Sequence, residues 1–140
     1  MIIIIEIHEV ILLIESRKNS RKRNAILEAM RGTKSHPSAQ WVYDSLRSSY
    51  PELSLATVYR NIKLFERSGE IISVAVVDGQ ERYDACVLPH SHFICRGCAA
   101  VIDLDFPEDL ENARDRLESE EGFKIESVCV SYKGLCRHCL

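Results

Sequence analysis

The sequence predicts an α+β protein: an N-terminal winged helix-turn-helix domain followed by a small α/β dimerisation domain with a four-cysteine zinc site. Three observations support this fold class. Three short helical patterns are followed by two β-rich runs that Asp78-Gly79 joins, an order typical of a winged helix. The second half combines short strand patterns with one charged helical pattern. Two C-x-x-C pairs, with 37 residues between them, match the two halves of one metal site.

Composition divides the chain of 140 residues into three parts. We predict an apolar N-terminal extension at 1–16, a winged-helix DNA-binding domain at 17–84 and a metal-binding dimerisation domain at 85–140. From Arg17 to Glu70 there are 11 basic and 5 acidic residues, whereas from Asp84 to Leu140 there are 6 basic and 11 acidic residues. This asymmetry predicts an anionic partner for the first half only.

The apolar stretch from Met1 to Ile14 is too short to span a bilayer, and Glu6 and Glu9 interrupt it. It lacks the basic start and the cleavage site of a signal peptide, so we expect a cytoplasmic protein with no membrane association. An extra helix or strand on the body and a stretch foreign to the native protein are both compatible with this segment. Without a secretion signal, the six cysteines favour metal binding over disulfides.

Serines predict where the three helices of the first half begin, because a serine side chain accepts hydrogen bonds from the first free backbone N–H groups of a helix. The predicted pairs of cap and helix are Ser20 with 21–30, Ser38 with 39–47, and Ser54 with 55–68. The third helix has an apolar face formed by Leu55, Val58, Ile62 and Phe65. Strand patterns follow at 71–77 and 80–84, joined by a hairpin turn.

The opposite face of the third helix carries Ala56, Arg60, Lys63 and Arg67. A helix with such a basic stripe suits the major groove of DNA, although a solvated face also explains it. Tyr59 and Arg60 are the best candidates for contacts to base edges, whereas Lys22, Arg23 and Lys63 are placed for phosphates. The candidate DNA-contacting set is Arg23, Thr57, Tyr59, Arg60 and Lys63.

In the second half, strand patterns cover 93–95, 101–104 and 124–132, and a charged helical pattern covers 107–119. Strand, helix and strand followed by a C-x-x-C pair make a small α/β domain. We expect its sheet to pair with a second copy of the chain.

Each C-x-x-C pair folds two thiolates toward one point, and Zn²⁺ binds four thiolates in a closed tetrahedron. The candidate zinc ligands are Cys95, Cys98, Cys136 and Cys139. A redox dithiol is the competing interpretation. His90 and His92 are two positions apart, so on a strand both imidazoles point to the same side. They predict a second metal, bound by histidines and carboxylates.

Several motifs, in this order and spacing, resemble the ferric-uptake-regulator family of metal-dependent bacterial repressors, and within it the peroxide-stress regulators. The resemblance runs from about Ser20 to Cys139. The motifs are His36-Pro37-Ser38-Ala39, Ala56-Thr57-Val58-Tyr59-Arg60-Asn61-Ile62, Arg82-Tyr83-Asp84, His90-x-His92-x-x-Cys95-x-x-Cys98, Val101-Ile102-Asp103 and Cys136-x-x-Cys139.

The resemblance implies a homodimer that binds a palindromic operator in double-stranded DNA, with a structural Zn²⁺ on the four cysteines. It implies a regulatory Fe²⁺ or Mn²⁺ between the two domains, on His36, Asp84, His90, His92 and Asp103. Aspartate at positions 84 and 103 favours the peroxide-sensing branch, since the iron-sensing branch tends to carry glutamate there. The resemblance to that branch implies that peroxide would react at a bound iron and oxidise His36 or His90.

The sequence departs from the family in three places. Ser20-Arg21-Lys22-Arg23 stands where Thr-x-Gln-Arg is usual, which adds charge for phosphate contact. Val128 replaces a histidine that serves a further metal in some relatives, so we predict no third metal site. Cys86 and Cys129 are extra, and we expect them to be buried as small apolar residues.

Three other functions compete with a peroxide-sensing repressor. The same fold could sense the level of iron, manganese or zinc. The C-x-x-C pairs could instead serve a thiol-disulfide oxidoreductase, which would expose a thiol of low pKa. A zinc-stabilised protein-interaction module without a DNA role is the third alternative.

Overall fold

The computed structural model describes residues 20–105, 107 and 109–140. The predicted apolar extension at 1–16 lies outside the described residues. The first half contains α1 (described part 20–31), α2 (Ala39–Leu46), α3 (Leu55–Ser68), β1 (Ile72–Val77) and β2 (Gln80–Asp84). The second half contains β3 (Ser91–Cys95), β4 (Val101–Leu104), α4 (Asp109–Glu121) and β5 (Ser131–Gly134). The predicted α+β class is confirmed.

Local capping defines the bounds of α2 and α3. Ser38 accepts a hydrogen bond from the N–H of Trp41, and Ser54 accepts one from the N–H of Thr57. Gly69 then ends α3 in the left-handed conformation, with φ of 74°. Both predicted caps are confirmed. The predicted cap at Ser20 is wrong, because Ser20 is itself helical and a capping residue has non-helical dihedral angles.

One hydrophobic core holds the first half together. Its members come from α1, α2, α3, the loops beside them and the end of β2. They are Ile26, Met30, Ala39, Val42, Leu53, Val58, Ile62, Phe65, Ile71 and Tyr83. The predicted apolar face of α3 faces this core, with Leu55 at its partly buried edge. Burial of this face leaves the basic face of α3 in solvent.

The predicted hairpin is present, with β1 and β2 antiparallel. Asp78 and Gly79 link the strands with φ of 51° and 74°, which are the two left-handed conformations of a two-residue type I′ turn. The register shifts between Ser73 and Ala75, so that β1 carries a bulge there. β2 therefore runs back from the turn and delivers Asp84 at its end, beside the second half.

The second half forms a three-stranded sheet in the order β4-β3-β5, with β4 antiparallel and β5 parallel to β3. α4 buries none of its described residues. The predicted strand at 124–132 is largely wrong, since only 131–134 is a strand. The strand pairing of β5 with β3 begins at Ser131, and before it, among the described residues, only the carbonyl of Val130 accepts a hydrogen bond from β3, from the N–H of His92 at 3.1 Å. An alternating pattern forms a strand only where a partner strand continues the hydrogen bonds. Among the described helices, none is long and apolar enough to cross a membrane.

Candidate metal centres

The four knuckle cysteines meet in what we call the cysteine cluster: Cys95, Cys98, Cys136 and Cys139. Their four sulfur atoms lie within 4.8 Å of one another. The Sγ atoms of Cys98 and Cys136 are 3.8 Å apart, too far for a disulfide and close enough for two ligands of one ion. Four thiols at this spacing offer the closed, all-sulfur coordination that Zn²⁺ prefers.

The parallel pairing of β3 with β5 explains how two distant sequence motifs meet. Cys95 at the end of β3 pairs with Gly134 at the end of β5, so both strands deliver their knuckles to the same edge of the sheet. Gly97 lies between the knuckles. A Cβ atom at Gly97 would lie 2.9 Å from Cβ and Sγ of Cys139, so the approach of the two knuckles requires glycine there.

Backbone N–H groups prepare one of these thiols for a metal. The N–H groups of Cys136 and Cys98 point at the sulfur of Cys95 and lower the pKa of this thiol to about 6. The hydrogen bond from Cys136 to Cys95 Sγ is 3.3 Å long. In contrast, hydrogen bonds with the thiols of Cys136 and Cys98 raise the pKa of Cys139 to about 12. Without a cation the cluster therefore retains protons that a bound metal would displace.

The second group, which we call the histidine–aspartate cluster, comprises His36, Asp84, His90, His92 and Asp103. One ligand atom from each lies within 4.8 Å of all the others. The three Nε2 atoms surround the carboxylates: His36 Nε2 lies 2.7 Å from Asp103 Oδ1, and Nε2 of His90 and of His92 lie 2.8 and 3.1 Å from Asp84 Oδ2. The predicted side-by-side placement of His90 and His92 is confirmed, with ring centroids 4.4 Å apart.

The surrounding backbone fixes which nitrogen each imidazole presents. His36 Nδ1 lies 3.1 Å from the carbonyl of Val101, and His90 Nδ1 lies 2.7 Å from the carbonyl of Leu88. A carbonyl oxygen only accepts, so Nδ1 carries the proton in both rings. In the neutral ring Nε2 is then the lone-pair atom, and in both side chains it points into the cluster. This is the arrangement that orients histidine as a metal ligand.

Interactions inside the cluster raise the pKa values of two histidines and lower the pKa of one aspartate. Burial lowers the pKa of His36, but the hydrogen bond to Asp84 and the charges of Asp103 and Asp84 outweigh burial and raise it above its ordinary value. Burial lowers and the Leu88 carbonyl raises the pKa of His90, and with the charge of Asp84 the pKa is raised overall. For Asp84, burial opposes ionisation, yet the hydrogen bonds from His36 and from the N–H of Cys86 hold its pKa well below the ordinary value.

The donor set fits a divalent cation of intermediate hardness. Three imidazoles and two carboxylates suit Fe²⁺, Mn²⁺ or Zn²⁺, whereas an all-thiolate site selects zinc. One atom makes the case for an ion here. His36 Nε2 is buried 3.3 Å from Asp84 Oδ2 and 2.7 Å from Asp103 Oδ1, but neither contact has the angles of a good hydrogen bond. A cation at the centre of the cluster would give this buried nitrogen a partner of better geometry.

The candidate DNA-contacting residues differ in how free their side chains are. Tyr59 and Arg60 are exposed on α3, and Thr57 is half-buried at its first turn. Arg23 lies with its guanidinium 5.8 Å from the ring centroid of Phe65. Lys63 is exposed but already paired with carboxylates.

Three features differ from the sequence analysis or escaped it. Cys86 and Cys129 are both exposed, so the expectation that they are buried is wrong. Cys86 follows the end of β2, where no periodic pattern reports which side faces the core, and Cys129 belongs to the alternating segment that does not form the predicted strand. The sequence shows Arg82 only as part of the Arg82-Tyr83-Asp84 motif. In the structure its guanidinium donates hydrogen bonds to the backbone carbonyls of Ser35, His36 and Ala99.

Comparison with known proteins agrees with the fold. The sequence model of the Ferric uptake regulator family matches residues 15–133, and the chain belongs to this family. It is 31% identical over 118 residues to the peroxide operon regulator of Bacillus subtilis (strain 168), covering 84% of this chain and 81% of the relative.

Two solved structures extend the comparison. The Campylobacter jejuni peroxide stress regulator superposes with a TM-score of 0.77 at 26% identity, covering 92% of this chain and 96% of that one. The ferric uptake regulator from Pseudomonas aeruginosa, solved with manganese, superposes with a TM-score of 0.68 at 26% identity, covering 88% of this chain and 96% of that one.

Proposed function

We propose that this protein is a metal-dependent, DNA-binding transcriptional repressor, not an enzyme, and that it senses peroxide through metal-catalysed oxidation at the histidine–aspartate cluster. The convergence of five ligand atoms from four separate parts of the chain supports the proposal most strongly. Aspartate at positions 84 and 103 and the likeness to two peroxide regulators favour peroxide as the signal.

The two clusters would hold different ions. We assign a structural Zn²⁺ to the cysteine cluster and a regulatory Fe²⁺ or Mn²⁺ to the histidine–aspartate cluster. Bound Fe²⁺ would supply the redox chemistry for peroxide sensing, whereas Mn²⁺ would hold the same side chains together without it. His36 and His90 are the proposed sites of oxidation because the family resemblance implies these two ligands, and both present Nε2 to the centre of the cluster, as His92 also does.

The position of the ligands in the chain connects metal binding with DNA binding. His36 precedes α2, Asp84 ends β2, and the other three ligands belong to β3, its approach, and β4. We divide the chain into domains at 17–84 and 85–140, so the cluster bridges the two. Ligation would stabilise the arrangement in which both domains contribute ligands, and the loss of one ligand would release it.

The exposed face of α3 is the proposed reader of the operator. Thr57, Tyr59 and Arg60 project from the first half of a helix whose other face is buried in the core. A homodimer would present two such helices to a palindromic operator, with Arg23 and Lys63 beside the phosphates. This surface also argues against an interaction module without a DNA role.

Sensing of the metal level is the second candidate function. It is favoured by the likeness to a ferric uptake regulator solved with manganese and by a ligand set that suits several divalent ions. Under this alternative, the release of DNA follows dissociation of the ion and needs no oxidation. A thiol-disulfide oxidoreductase is less well supported, because Cys95 is buried and all four knuckle sulfurs converge on one point.

The test is DNA binding by the zinc-loaded protein with Fe²⁺ or Mn²⁺ in the second site. A duplex enriched from a random-sequence library by the manganese form serves as the probe. DNA binding is measured before and after addition of peroxide at low concentration. The masses of the peptides that contain His36 and His90 are then measured by mass spectrometry. We expect only the iron form to release DNA and to gain one oxygen on either histidine. Retention of DNA by both forms until the ion is chelated would support metal-level sensing instead.

A count of reactive thiols addresses the oxidoreductase. In the zinc-loaded protein, the four cysteines of the cluster should stay unreactive until a chelator or oxidant is added, while the exposed Cys86 and Cys129 react at once. A knuckle thiol that reacts in the native protein without zinc loss would favour the oxidoreductase.

A further inference from the structure

The guanidinium of Arg82 is bound entirely to backbone carbonyls in the described structure. Its Nε donates to the carbonyl of His36 in a short hydrogen bond, Nη2 donates to Ser35 at 2.6 Å, and Nη1 donates to Ala99 at 3.1 Å. Arginine on a protein surface usually pairs with carboxylates or phosphates. Three of the five N–H donors of Arg82 bind backbone carbonyls of the same chain.

Two of these carbonyls belong to residues with unfavourable backbone angles. Among the described non-glycine residues, only His36, Asp78 and Ala99 have positive φ. Asp78 lies in the hairpin turn, where this conformation is expected. The other two, with φ of 52° and 60°, are both bound by Arg82. Left-handed backbone is unfavourable for residues that carry a Cβ atom, and it persists where surrounding contacts enforce it.

The three bonds connect three parts of the molecule. Arg82 lies in β2, two residues before Asp84 of the histidine–aspartate cluster. Ala99 closes the first knuckle, since its N–H donates to the carbonyl of Cys95 at 2.9 Å. The loop at His36 is also attached to β2 by the N–H of Tyr83, which donates to the carbonyl of Pro37. β2 thus supplies Asp84 directly and holds the backbone of His36 through the side chain of Arg82.

We propose that Arg82 is a positioning residue for the regulatory metal: it holds the loop of His36 against β2 and the first knuckle, so that the His36 imidazole meets the other four ligands. The proposal rests on the proposed function of the histidine–aspartate cluster. Arg82 does not touch the ion; it acts through the backbone of His36. Its loss leaves all five ligands in the chain but removes the support for the strained residue that carries one of them.

The first experiment measures Mn²⁺ affinity of the full-length, zinc-loaded protein by competition with a chelator. Arg82→Met keeps the length of the side chain without donors, and Arg82→Lys keeps the charge without the fork. Arg47→Met is the matched control, because Arg47 is an exposed arginine paired with Asp44. We expect Arg82→Met to weaken Mn²⁺ binding by about tenfold, as loss of groups that orient metal ligands does, and Arg82→Lys by less. Arg47→Met should match the wild type.

A second measurement separates positioning from a general effect on folding. Arg82→Met is combined with His36→Ala, and the cycle of four Mn²⁺ affinities gives the coupling of the two residues. If Arg82 acts through His36, its substitution weakens binding by less than about twofold once the imidazole is gone. Zinc content and the melting temperature of the zinc-loaded variants are recorded in parallel.

The outcomes are distinct. No Mn²⁺ binding by the wild type would contradict the proposed regulatory centre and, with it, this inference. Wild-type affinity in both Arg82 variants would leave the proposed function standing and overturn the role of Arg82. An equal loss in the presence and absence of the His36 imidazole would likewise overturn it. If Arg82→Met does not fold, Arg82→Lys replaces it in the double-mutant cycle with His36→Ala. Wild-type affinity of Arg82→Lys, or an equal loss with and without the His36 imidazole, would then overturn the role of Arg82.

Discussion

Lys63 of α3 and Glu81 of β2 form an ion pair between the third helix and the hairpin, with 3.2 Å between Nζ and Oε2. Lys63 Nζ also lies 2.6 Å from Glu66 Oε2, and Glu81 accepts a hydrogen bond from the Tyr83 hydroxyl at 2.8 Å. Two carboxylates therefore surround an amine that the sequence placed at the DNA phosphates. This arrangement fixes the hairpin against α3 and reduces the net positive charge that Lys63 offers to DNA.

Arg60 and Lys63 should consequently differ in their importance for DNA binding. We expect Arg60→Met to weaken operator binding by roughly tenfold or more, within the range for loss of an arginine–base contact. Lys63→Met should weaken it by less than about threefold, because two carboxylates already compensate its charge. Fluorescence anisotropy of a labelled duplex at two salt concentrations measures both, with Arg47→Met as the control. Equal losses for the two variants would contradict this ranking.

Tyr83 should make stability depend on alkaline pH. Burial and the hydrogen bond to Glu81 raise the pKa of Tyr83 far above its ordinary value of 10. The stabilisation is therefore complete below pH 10 and declines above it, because the unfolded chain ionises first. Tyr83→Phe should lower the free energy of unfolding at pH 7 by about 1–2 kcal/mol, through loss of a partly buried hydrogen bond to the Glu81 carboxylate. The difference from the wild type should shrink above pH 10 in urea titrations.

The exposed Tyr132 provides the control for this measurement. Tyr132→Phe should change the free energy of unfolding by less than about 0.5 kcal/mol at every pH, as surface substitutions usually do. A difference between wild type and Tyr83→Phe that stays constant from pH 7 to pH 11 would show that Tyr83 ionises normally.

Gly97→Ala should weaken zinc retention. The added Cβ would lie 2.9 Å from the Cys139 sulfur, so one knuckle must move away from the other. We expect zinc transfer to a chromophoric chelator to become at least about tenfold faster, comparable to the loss of supporting contacts at other metal sites. Gly134→Ala is the control, because a Cβ there meets Phe93 at an ordinary 3.5 Å. Equal rates for both variants would mean that the knuckles tolerate the methyl group.

Ser54→Ala should destabilise the first half through α3. The Ser54 side chain accepts the N–H of Thr57 at 3.1 Å and lies 2.8 Å from the Thr57 hydroxyl. Loss of an N-cap costs about 1 kcal/mol, and we expect that decrease in urea unfolding. Ser48→Ala, at an exposed turn after α2, should remain near the wild type. An unchanged Ser54→Ala would indicate that water replaces the cap.

Local signals in the sequence predicted the first half well. Ser54 and Gly69 mark the two ends of α3 correctly, and Asp78-Gly79 marks the hairpin, because caps and turns depend on a few neighbouring residues. The pairing of the two C-x-x-C motifs was also predictable, since zinc coordination leaves few alternatives. The five members of the histidine–aspartate cluster came together only through the family resemblance.

The errors concern contacts between distant parts of the chain. The residues around Lys63 in the sequence do not predict its ion pair with Glu81, which lies 18 positions away. The hydrogen bond from Arg82 to His36 joins residues 46 positions apart, and a single sequence does not predict it either. The alternating pattern at 124–132 predicted a half-buried strand, but the segment is mostly exposed, and a strand also needs a partner that the pattern does not supply.

The core of the first half has a consequence for synthesis on the ribosome. Every buried residue of that core lies between positions 26 and 83, so all of it is translated before the first knuckle. The nascent chain can therefore bury its helices and hairpin early, while four of the five regulatory ligands are still at or beyond the end of the folded part. Newly made protein would pass through a stage that has α3 in place but lacks most of the proposed regulatory ligands, and translation of β3 and β4 would end that stage.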